Sequence, residues 1–360
     1  MNEYIAAIDG GATKTDMVLC TLDGRVLNRV IGGSTNPNDI GFEKSVESLR
    51  SMLEKLLENH GGLKVHLYSF YAGLSGGGGG NYIERYKMAF REMLVNTTNI
   101  YNGSDAINAL NSGIGCNDGM VLIAGTGSVA FVRKDGKITH VGGWGYLLDD
   151  AGSGYDIGRR GFRAALRDYD GRGESTIIFD LYSQRLAGPV YKFIPEIYQR
   201  GKQFIASFAP LVFEAATKGD KVANTILDEC AAELALLVKA GARHLKESEG
   251  LYKVVLAGGL WKAGDALINR FKSNLSKDFL LIKPELPPVY GAVIEAISRA
   301  NKEYITSHNF SDDSIPHDEC NVSRKSKEKE KYLKIEVDRS FYENFKNSLN
   351  NAAIIHFPEK

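Results

Sequence analysis

Three glycine-rich turns are the part of this sequence best suited to chemistry. DGGATKT occupies residues 9–15, AGTGSVA residues 124–130 and AGGLWKAG residues 257–264, and each follows an apolar stretch that predicts a strand. Glycine lets the backbone adopt positive φ and leaves N–H groups uncovered by a Cβ, which suits an anion such as phosphate. A single turn of this kind is typical of a hairpin. Three of them in register indicate phosphate binding.

Two familiar phosphate motifs do not account for these turns. Residues 125–130 satisfy the dinucleotide fingerprint, but that fingerprint requires a helix at the turn, and the following FVRKDGKITHV predicts a hairpin. Residues 10–15 have the wrong spacing for a Walker A loop and also precede a predicted strand. The sequence therefore indicates a different kind of nucleotide site.

The elements around the first turn predict a mixed α/β fold. Residues 4–9, 15–22 and 25–32 have strand patterns and are joined by tight turns. Alternating helices and strands follow, and they are predicted as a helix from Glu43 to Glu58, a strand at 65–74, a helix near 82–94, a short strand ending at Tyr101 and a helix from Ser104. Such a string favours a sheet covered by helices.

The opening motif is repeated later in the chain. Strand, strand, turn and strand recur over 120–143, helical patterns fill most of 152–247, and a further strand covers 252–260. The sequence thus predicts one α/β domain at 1–114 and a second at 115–302, with a large helical insertion in the second. Residues 303–360 begin as a polar stretch with the charge run RKSKEKEK and continue through LKIEV to the helical SFYENFKNSL. They are predicted to be an appended tail, and no role is assigned to them.

Composition disfavours several classes of function. The 360 residues carry 44 Lys plus Arg and 44 Asp plus Glu, so no global field attracts nucleic acid or a membrane surface. No apolar run approaches the roughly 18–20 residues that cross a bilayer. The four cysteines lie far apart and no signal segment opens the chain, so a cytoplasmic location is expected. The seven histidines show no paired ligand spacing, which disfavours a transition-metal site.

Several segments together resemble a known family. In chain order they are DGGATKTD, GLSGG, the Asp of NGSDA, AGTGS, GGWGYLLDDAGSGYDIG and VVLAGGLWKAG. They look like the N-acetylglucosamine kinase branch of the BadF/BadG/BcrA/BcrD group, within the actin, Hsp70 and hexokinase superfamily, over roughly residues 3–300. The resemblance implies two duplicated ribonuclease H-like domains, with ATP and a sugar bound in the cleft between them.

The resemblance assigns ATP and Mg²⁺ to the glycine turns. Asp9 would hold Mg²⁺ through water, because Mg²⁺ keeps most of its waters and uses few carboxylates. The phosphate oxygens would be bound through Gly10, Gly11, Thr13, Lys14, Thr126 and Gly127. The adenosine would lie against Ala215 of FEAATKGD, Gly258, Gly259 and Ala263.

Asp105 is predicted to be the general base that orients the sugar hydroxyl and accepts its proton. It follows Ser104, a favourable N-cap residue, so it would sit in the first turn of a helix whose dipole favours the ionised carboxylate. A carboxylate at this position is also common in helices without any catalytic role, and the resemblance decides in favour of catalysis.

The sugar itself would be bound by hydrogen-bonding side chains and an aromatic wall. The resemblance assigns this task to Asn36, Ser75, Gly76, Asp105, Gly143, Trp144, Gly145 and Asp150. Asn36 could equally serve the turn before Pro37, and Trp144 could equally be a core residue. One departure stands out, because relatives carry Asp-Glu where this chain has Asp150-Ala151.

The function implied is ATP-dependent phosphorylation of the 6-hydroxyl of N-acetylglucosamine. Glucosamine and N-acetylmuramic acid remain open as substrates. Two other classes are weighed: an ATP-driven redox activator, which needs closely spaced cysteines for an iron–sulfur cluster, and a sugar sensor, which would carry a DNA-binding helix pair. Neither feature is found in the sequence. The resemblance also suggests a homodimer, and it leaves open whether the product serves cell-wall recycling or catabolism.

Overall fold

Two sheets organise the chain, and each lies within its own compact unit. The first unit combines Met1–Cys116 with Glu285–Lys360, and the second is Asn117–Pro284. The protein is described by a computed structural model that covers residues 3–245, 250–307, 335–352 and 354–357. Over these residues, no helix has both the length and the apolar character needed to cross a bilayer.

The first unit is built on strands that are buried because helices cover the sheet. The central strands β1 (Tyr4–Gly10) and β4 (Leu67–Leu74) are almost continuously apolar, as expected for strands packed on both faces. The other elements of this part are β2 (Thr15–Thr21), β3 (Val26–Gly32), α1 (Pro37–Ile40), α2 (Phe42–Leu57), α3 (Tyr82–Met93), β5 (Ile100–Gly103) and α4 (Asp105–Ile114).

The second unit contains the helical insertion that the sequence predicts. Its strands are β6 (Gly119–Ala124), β7 (Ser128–Lys134), β8 (Lys137–Val141), β9 (Tyr252–Ala257) and β10 (Phe279–Ile282). Its helices are α5 (Gly154–Tyr169), α6 (Ile178–Leu186), α7 (Ile194–Ala206), α8 (Ala209–Thr217), α9 (Lys221–Ala242) and α10 (Asp265–Ser273). The chain then returns to the first unit through α11 (Pro288–Ser307), α12 (Arg339–Asn351) and β11 (Ile354–His356).

The two sheets share one topology. The first has the order β11-β3-β2-β1-β4-β5 and the second β10-β9-β6-β7-β8. In each, three antiparallel strands form a meander, and two parallel strands are added beside the first of them. This confirms the predicted duplicated α/β architecture. Because β6 and β7 form an antiparallel hairpin, no helix opens at residues 125–127, and the dinucleotide fingerprint there is accidental.

The division of the chain differs from the one the sequence predicts. The prediction places 285–302 in the second domain, whereas α11 packs in the first unit. Its apolar residues Val289, Val293 and Ile297 join the core that lies against β1 and β2. Asn111 of α4 also donates to the Glu295 carboxylate at 2.8 Å. These described residues of α11 thus pack and pair within the first unit, and no break in composition marks this return of the chain.

Part of the predicted tail belongs to the core of the first unit. The predicted helix is present as α12, and its residues Phe341, Phe345 and Leu349 are buried against α11 and the sheet. After α12, β11 pairs in parallel with β3 and becomes the edge strand of the sheet. The charge run RKSKEKEK lies outside the described residues. Helix α12 thus covers one face of the sheet, and β11 adds its edge strand.

We expect Phe345→Ala to destabilise the protein by about 3–5 kcal/mol, because it removes a fully buried ring and leaves a cavity. Chemical denaturation followed by far-ultraviolet circular dichroism measures this change. Asn350→Ala, on the exposed side of the same helix, is the matched control and should change stability by no more than about 0.5 kcal/mol. Equal effects of the two substitutions would show that α12 is not part of the core.

Candidate active site

In the first unit, the predicted site residues gather where β1, β4 and β5 end. These strands are parallel neighbours, with Gly10 opposite Leu74 and Gly73 opposite Gly103. The N–H of Ser75 donates to the Gly10 carbonyl at 2.7 Å, which ties the two turns together. The carboxyl ends of parallel strands meet at one edge of a sheet, so their loops form a common surface.

The first glycine turn is a tight hairpin whose outer residues face solvent. The Gly11 N–H donates to the Lys14 carbonyl at 2.9 Å, so this amide closes the turn instead of facing a ligand. Thr13 is exposed, and its hydroxyl has no protein partner within the described residues. Lys14 is half-exposed and lies 3.4 Å from the Asp16 carboxylate. The turn therefore offers Thr13 and Lys14 to a phosphate more readily than Gly11.

Asp9 is a partly buried carboxylate held by an asparagine. Asn108 of α4 donates to its Oδ1 at 2.8 Å. The pKa of Asp9 is raised to about 7, chiefly by burial and also by the charges of Asp105 and Asp16, while the hydrogen bond from Asn108 and the charge of Lys14 oppose the rise. In the absence of a cation, Asp9 is thus a carboxylate whose negative charge is poorly stabilised.

Asp105 opens helix α4, as the sequence predicts. Ser104 is the N-cap, and its hydroxyl accepts the Ala106 N–H at 3.2 Å. Burial raises the pKa of Asp105 to about 6, although hydrogen bonds from Ser104, two backbone amides and Ser75 favour the charged form. The expected preference of the helix start for the ionised carboxylate is therefore outweighed by desolvation. At neutral pH the group is still mostly ionised and able to accept a proton.

The glycine run 76–80 brings Asn36 and Asp105 to the same loop. Gly76 has φ +70° and lies against the Asn36 amide, where a Cβ would overlap it. Gly78 lies against the backbone of Ser104, at 2.7 Å from its Cα to an added Cβ. Asn36 also has the structural role considered above, because its Oδ1 caps α1 by accepting the Asn38 N–H at 3.0 Å. Its amide nitrogen has no protein partner within the described residues.

We expect Gly78→Ala to lower kcat/KM of the enzymatic reaction proposed below by about 10- to 100-fold, because the new methyl group would displace the N-cap residue beside Asp105. Gly79→Ala is the matched control, since nothing lies within 4 Å of a Cβ added there and its φ is not positive. Steady-state kinetics of both variants test this. Equal losses would show that the run is needed only for loop flexibility.

In the second unit, a glycine turn and an aspartate pack together. The amide of Ser128 donates to Asp150 Oδ1 at 3.3 Å, and a Cβ on Gly127 would lie 2.9 Å from the same oxygen. The turn is held on the start of α5, since Gly154 N–H donates to the Gly125 carbonyl at 2.8 Å. Thr126 is left exposed between these contacts. The structure thus places Thr126, Gly127 and Asp150 side by side.

The third glycine turn lies beside the second. Gly259 is close to Gly125, and no atom lies within 4 Å of a Cβ added at Gly259, so its surroundings are open. Gly258 has φ +101° and closely approaches the Ala124 carbonyl, so the sheet itself requires this glycine. Ala263 is partly buried at the end of the following 3-10 turn. Ala215 is fully buried in the core of this unit and offers no surface to a nucleotide.

The segment around Trp144 is exposed. Trp144 is 68% exposed, so it is not a core residue, and its ring meets His140 edge-on at 5.1 Å. Gly143 and Gly145 on either side have φ of +72° and +95°. The Trp144 N–H donates to the Asp149 carboxylate at 3.3 Å. This turn presents an aromatic ring to solvent, and its backbone is held by Asp149, the residue before Asp150.

Three features of these sites were not predicted from the sequence. Asn108 binds Asp9, Arg29 forms a two-point ion pair with Asp16 at 2.6 and 2.9 Å, and Lys202 forms an ion pair with Asp150 at 2.7 Å. No local motif marks these partners, because the two ends of each contact are between 13 and 99 residues apart. Asn108 lies about one helical turn after Asp105, so both residues fall on the same face of α4. This spacing was the one signal in the sequence that could have placed Asn108 at the site.

The residues present fit a magnesium ion that is bound mainly through water and phosphate. Within the described residues, no group of three or more His, Cys, Asp or Glu is placed to hold a metal. Asp9 nevertheless supplies a carboxylate whose Oδ2 has no protein partner among the described residues. Mg²⁺ sites of this class use one or two carboxylates together with substrate phosphates.

Comparisons with known proteins give one consistent picture. Residues 7–296 match the model of the BadF/BadG/BcrA/BcrD ATPase family. An N-acetylmuramic acid/N-acetylglucosamine kinase of Clostridium acetobutylicum is 34% identical over 83% of this chain and 100% of its own. An N-acetyl-D-glucosamine kinase of Dictyostelium discoideum is 30% identical over 82% of this chain and 98% of its own.

Solved structures agree in fold. A Chromobacterium violaceum protein aligns with a TM-score of 0.64 and 24% identity, covering 81% of this chain and 98% of its own. A ROK family glucokinase of Streptomyces griseus, solved with glucose and AMPPNP, aligns with a TM-score of 0.52 and 17% identity, covering 81% and 98%. These likenesses confirm the two-domain ribonuclease H-like fold.

Proposed function

The chain belongs to the BadF/BadG/BcrA/BcrD ATPase family, and from this premise we propose that it transfers the γ-phosphoryl group of ATP to the 6-hydroxyl of an amino sugar, N-acetylglucosamine or a close relative. The observation that carries the proposal is the placement of Asp105. A partly buried carboxylate with a pKa of about 6 stands at the start of a helix, beside Ser75 and the glycine run.

Asp105 would act on the attacking hydroxyl. Phosphoryl transfer has a loose transition state, so the protein contributes chiefly by positioning and by charge neutralisation. Asp105 orients the sugar hydroxyl, whose oxygen forms the new bond to the γ-phosphorus while the bond to the β-phosphate oxygen breaks. The proton of the hydroxyl passes to Asp105 late in the reaction. A pKa near 6 suits this role, because the carboxylate is ionised at neutral pH and still basic.

The glycine turns would bind the nucleotide. In the first unit, Gly10, Thr13 and Lys14 are assigned to phosphate, and Asp9 would hold Mg²⁺, which neutralises phosphate charge when bound. In the second unit, Thr126 and Gly127 are assigned to phosphate, and Gly258, Gly259 and Ala263 to the nucleoside. Exposed Thr126 and the open surroundings of Gly259 support these assignments. The structure disfavours Gly11 through its amide, and Ala215 altogether.

We assign the sugar to two groups of residues, one within each unit. Asn36, Ser75 and Gly76 support this through their closeness to each other and to Asp105. The second group is Gly143, Trp144, Gly145 and Asp150, and it is supported by an exposed aromatic ring and, separately, by a carboxylate that the Ser128 N–H holds.

A coupled assay of ADP release tests the proposal. The protein is supplied with Mg-ATP and, in separate reactions, N-acetylglucosamine, glucosamine, N-acetylmuramic acid or glucose. We expect ADP release that depends on one or more of the amino sugars, and a 6-deoxy analogue should give none. ADP release that no sugar alters would contradict the proposal and favour an ATP-driven activator. Sugar binding without any ADP release would favour a sensor.

A further inference from the structure

A partly buried ion pair includes Asp150, one of the predicted sugar residues. Lys202 Nζ lies 2.7 Å from Asp150 Oδ2, and the two side chains are 29% and 6% exposed. Lys202 follows Gly201, whose φ of +67° and ψ of −155° break the helical conformation of α7 at this point. The break changes the course of the chain immediately before the lysine.

The Asp150 side chain is held by contacts other than the one with Lys202. The backbone of Asp150 has φ +60°, which is uncommon for a residue other than glycine. Its other oxygen, Oδ1, accepts the Ser128 N–H, and Gly127 packs on the same carboxylate. Lys202 is the more exposed member of the pair, and its ammonium also lies 5.6 Å from the ring of Tyr146.

The ion pair between Lys202 and Asp150 determines the net charge around Asp150. Acidic neighbours have their own partners: Asp149 accepts the Trp144 N–H, and Asp156 is paired with Arg159 and Arg160. With Lys202 present, the carboxylate of Asp150 is compensated. Without it, a nearly buried negative charge would remain, and charges in such surroundings act on each other over several ångströms.

We propose that Lys202 determines the charge of the sugar that the enzyme accepts, and that it admits an acidic amino sugar, one that carries a carboxylate on its ring substituent. This inference rests on the proposed function and on the assignment of Asp150 to the sugar. The ammonium cancels the repulsion between Asp150 and the substrate carboxylate, and its free N–H groups can donate to that carboxylate. A neutral sugar gains nothing from it, and a protonated amino sugar is disfavoured by it.

Three substrates that differ in charge test the role of Lys202. Near neutral pH, N-acetylmuramic acid is negative, N-acetylglucosamine is neutral and glucosamine is largely positive. We expect Lys202→Gln to lower the kcat/KM ratio of the acid to the neutral sugar by about tenfold, and to raise the ratio of the cation to the neutral sugar several-fold. Ratios between substrates cancel any general loss of active protein.

Two further variants complete the test. Lys202→Arg keeps the charge and should keep both ratios close to those of the wild type. Lys134→Gln removes a lysine from another Lys–Asp pair, at the opposite end of β7 from Ser128, and should leave both ratios unchanged. A Lys202→Gln variant with equal losses for all three sugars would overturn the inference, because Lys202 would then be only structural.

The inference and the proposed function fail in different ways. If the wild type shows sugar-dependent ADP release but turns over no acidic sugar, the inference is overturned and the kinase proposal stands. If the wild type shows no sugar-dependent ADP release, the proposed function is overturned and the inference falls with it.

Discussion

Asp105→Asn is expected to lower kcat by about 10²- to 10⁴-fold, the usual contribution of a general base, and to leave KM within a few-fold. Asparagine keeps the shape of the side chain and its position beside Ser104 and Ser75, so the sugar can still be oriented. It cannot accept the proton of the hydroxyl. Steady-state kinetics with the preferred amino sugar measure both constants.

The pH profile of the wild type gives the same carboxylate a second signature. The base acts only when ionised, and burial raises the pKa of Asp105 to about 6. At saturating Mg-ATP, where a bound cation would keep Asp9 ionised, we therefore expect kcat/KM for the sugar to be constant above this pKa and to fall tenfold for each pH unit below it. The residual activity of Asp105→Asn should not show this acidic limb.

Asp180→Asn is the control for Asp105→Asn, because Asp180 also lies in the first turn of a helix, α6, and is exposed. It should leave kcat and the pH profile unchanged. A kcat of Asp105→Asn close to that of the wild type would remove Asp105 from the chemical step. A large rise in KM at unchanged kcat would make it a sugar-binding residue only.

Local patterns were sufficient to predict the duplicated fold. The apolar strands before each glycine turn and the DG dipeptides place the two meanders, which the strand orders of both sheets confirm. The return of α11 and α12 to the first unit was not predictable in this way. Phe345 and Val293 look like ordinary amphipathic helix residues, and only the three-dimensional packing shows which sheet they cover.

In the candidate site, too, local sequence predicts some features, and others depend on three-dimensional packing. Asp105 at a helix start could be predicted from its neighbour Ser104, and the glycine run from its composition. The direction of the pKa shift of Asp105 could not be predicted, because desolvation depends on the residues that surround the carboxylate in space and not on those next to it in sequence. The same holds for Asn108 and Lys202, whose partners Asp9 and Asp150 lie far away in the chain.

Asp9→Asn is expected to abolish most activity and to stabilise the ligand-free protein. Asparagine cannot supply the negative charge that Mg²⁺ requires, so kcat/KM should fall by roughly 10²-fold or more. The same substitution should raise the free energy of unfolding of the ligand-free protein. Burial raises the pKa of Asp9 to about 7, so the folded state disfavours the ionised carboxylate.

The sign of the pH dependence follows from linkage. A carboxyl group with a raised folded pKa binds more protons in the folded than in the unfolded state between its ordinary pKa of 3.8 and about 7. The wild type therefore loses stability as the pH rises through this interval, and the loss is complete above it. Asparagine does not titrate. The gain in unfolding free energy from Asp9→Asn should be close to zero near pH 4 and reach roughly 2–4 kcal/mol above pH 7.

Urea denaturation of both proteins across this pH range, without nucleotide or Mg²⁺, measures the difference. Glu92→Gln, an exposed carboxylate on α3 of the same unit, is the control and should show no pH-dependent gain. If Asp9→Asn were less stable than the wild type at neutral pH, the first unit would be able to stabilise the charge by itself. A gain in stability together with a loss of activity would show instead that the protein holds Asp9 ionised at the expense of its own stability, as a cation site requires.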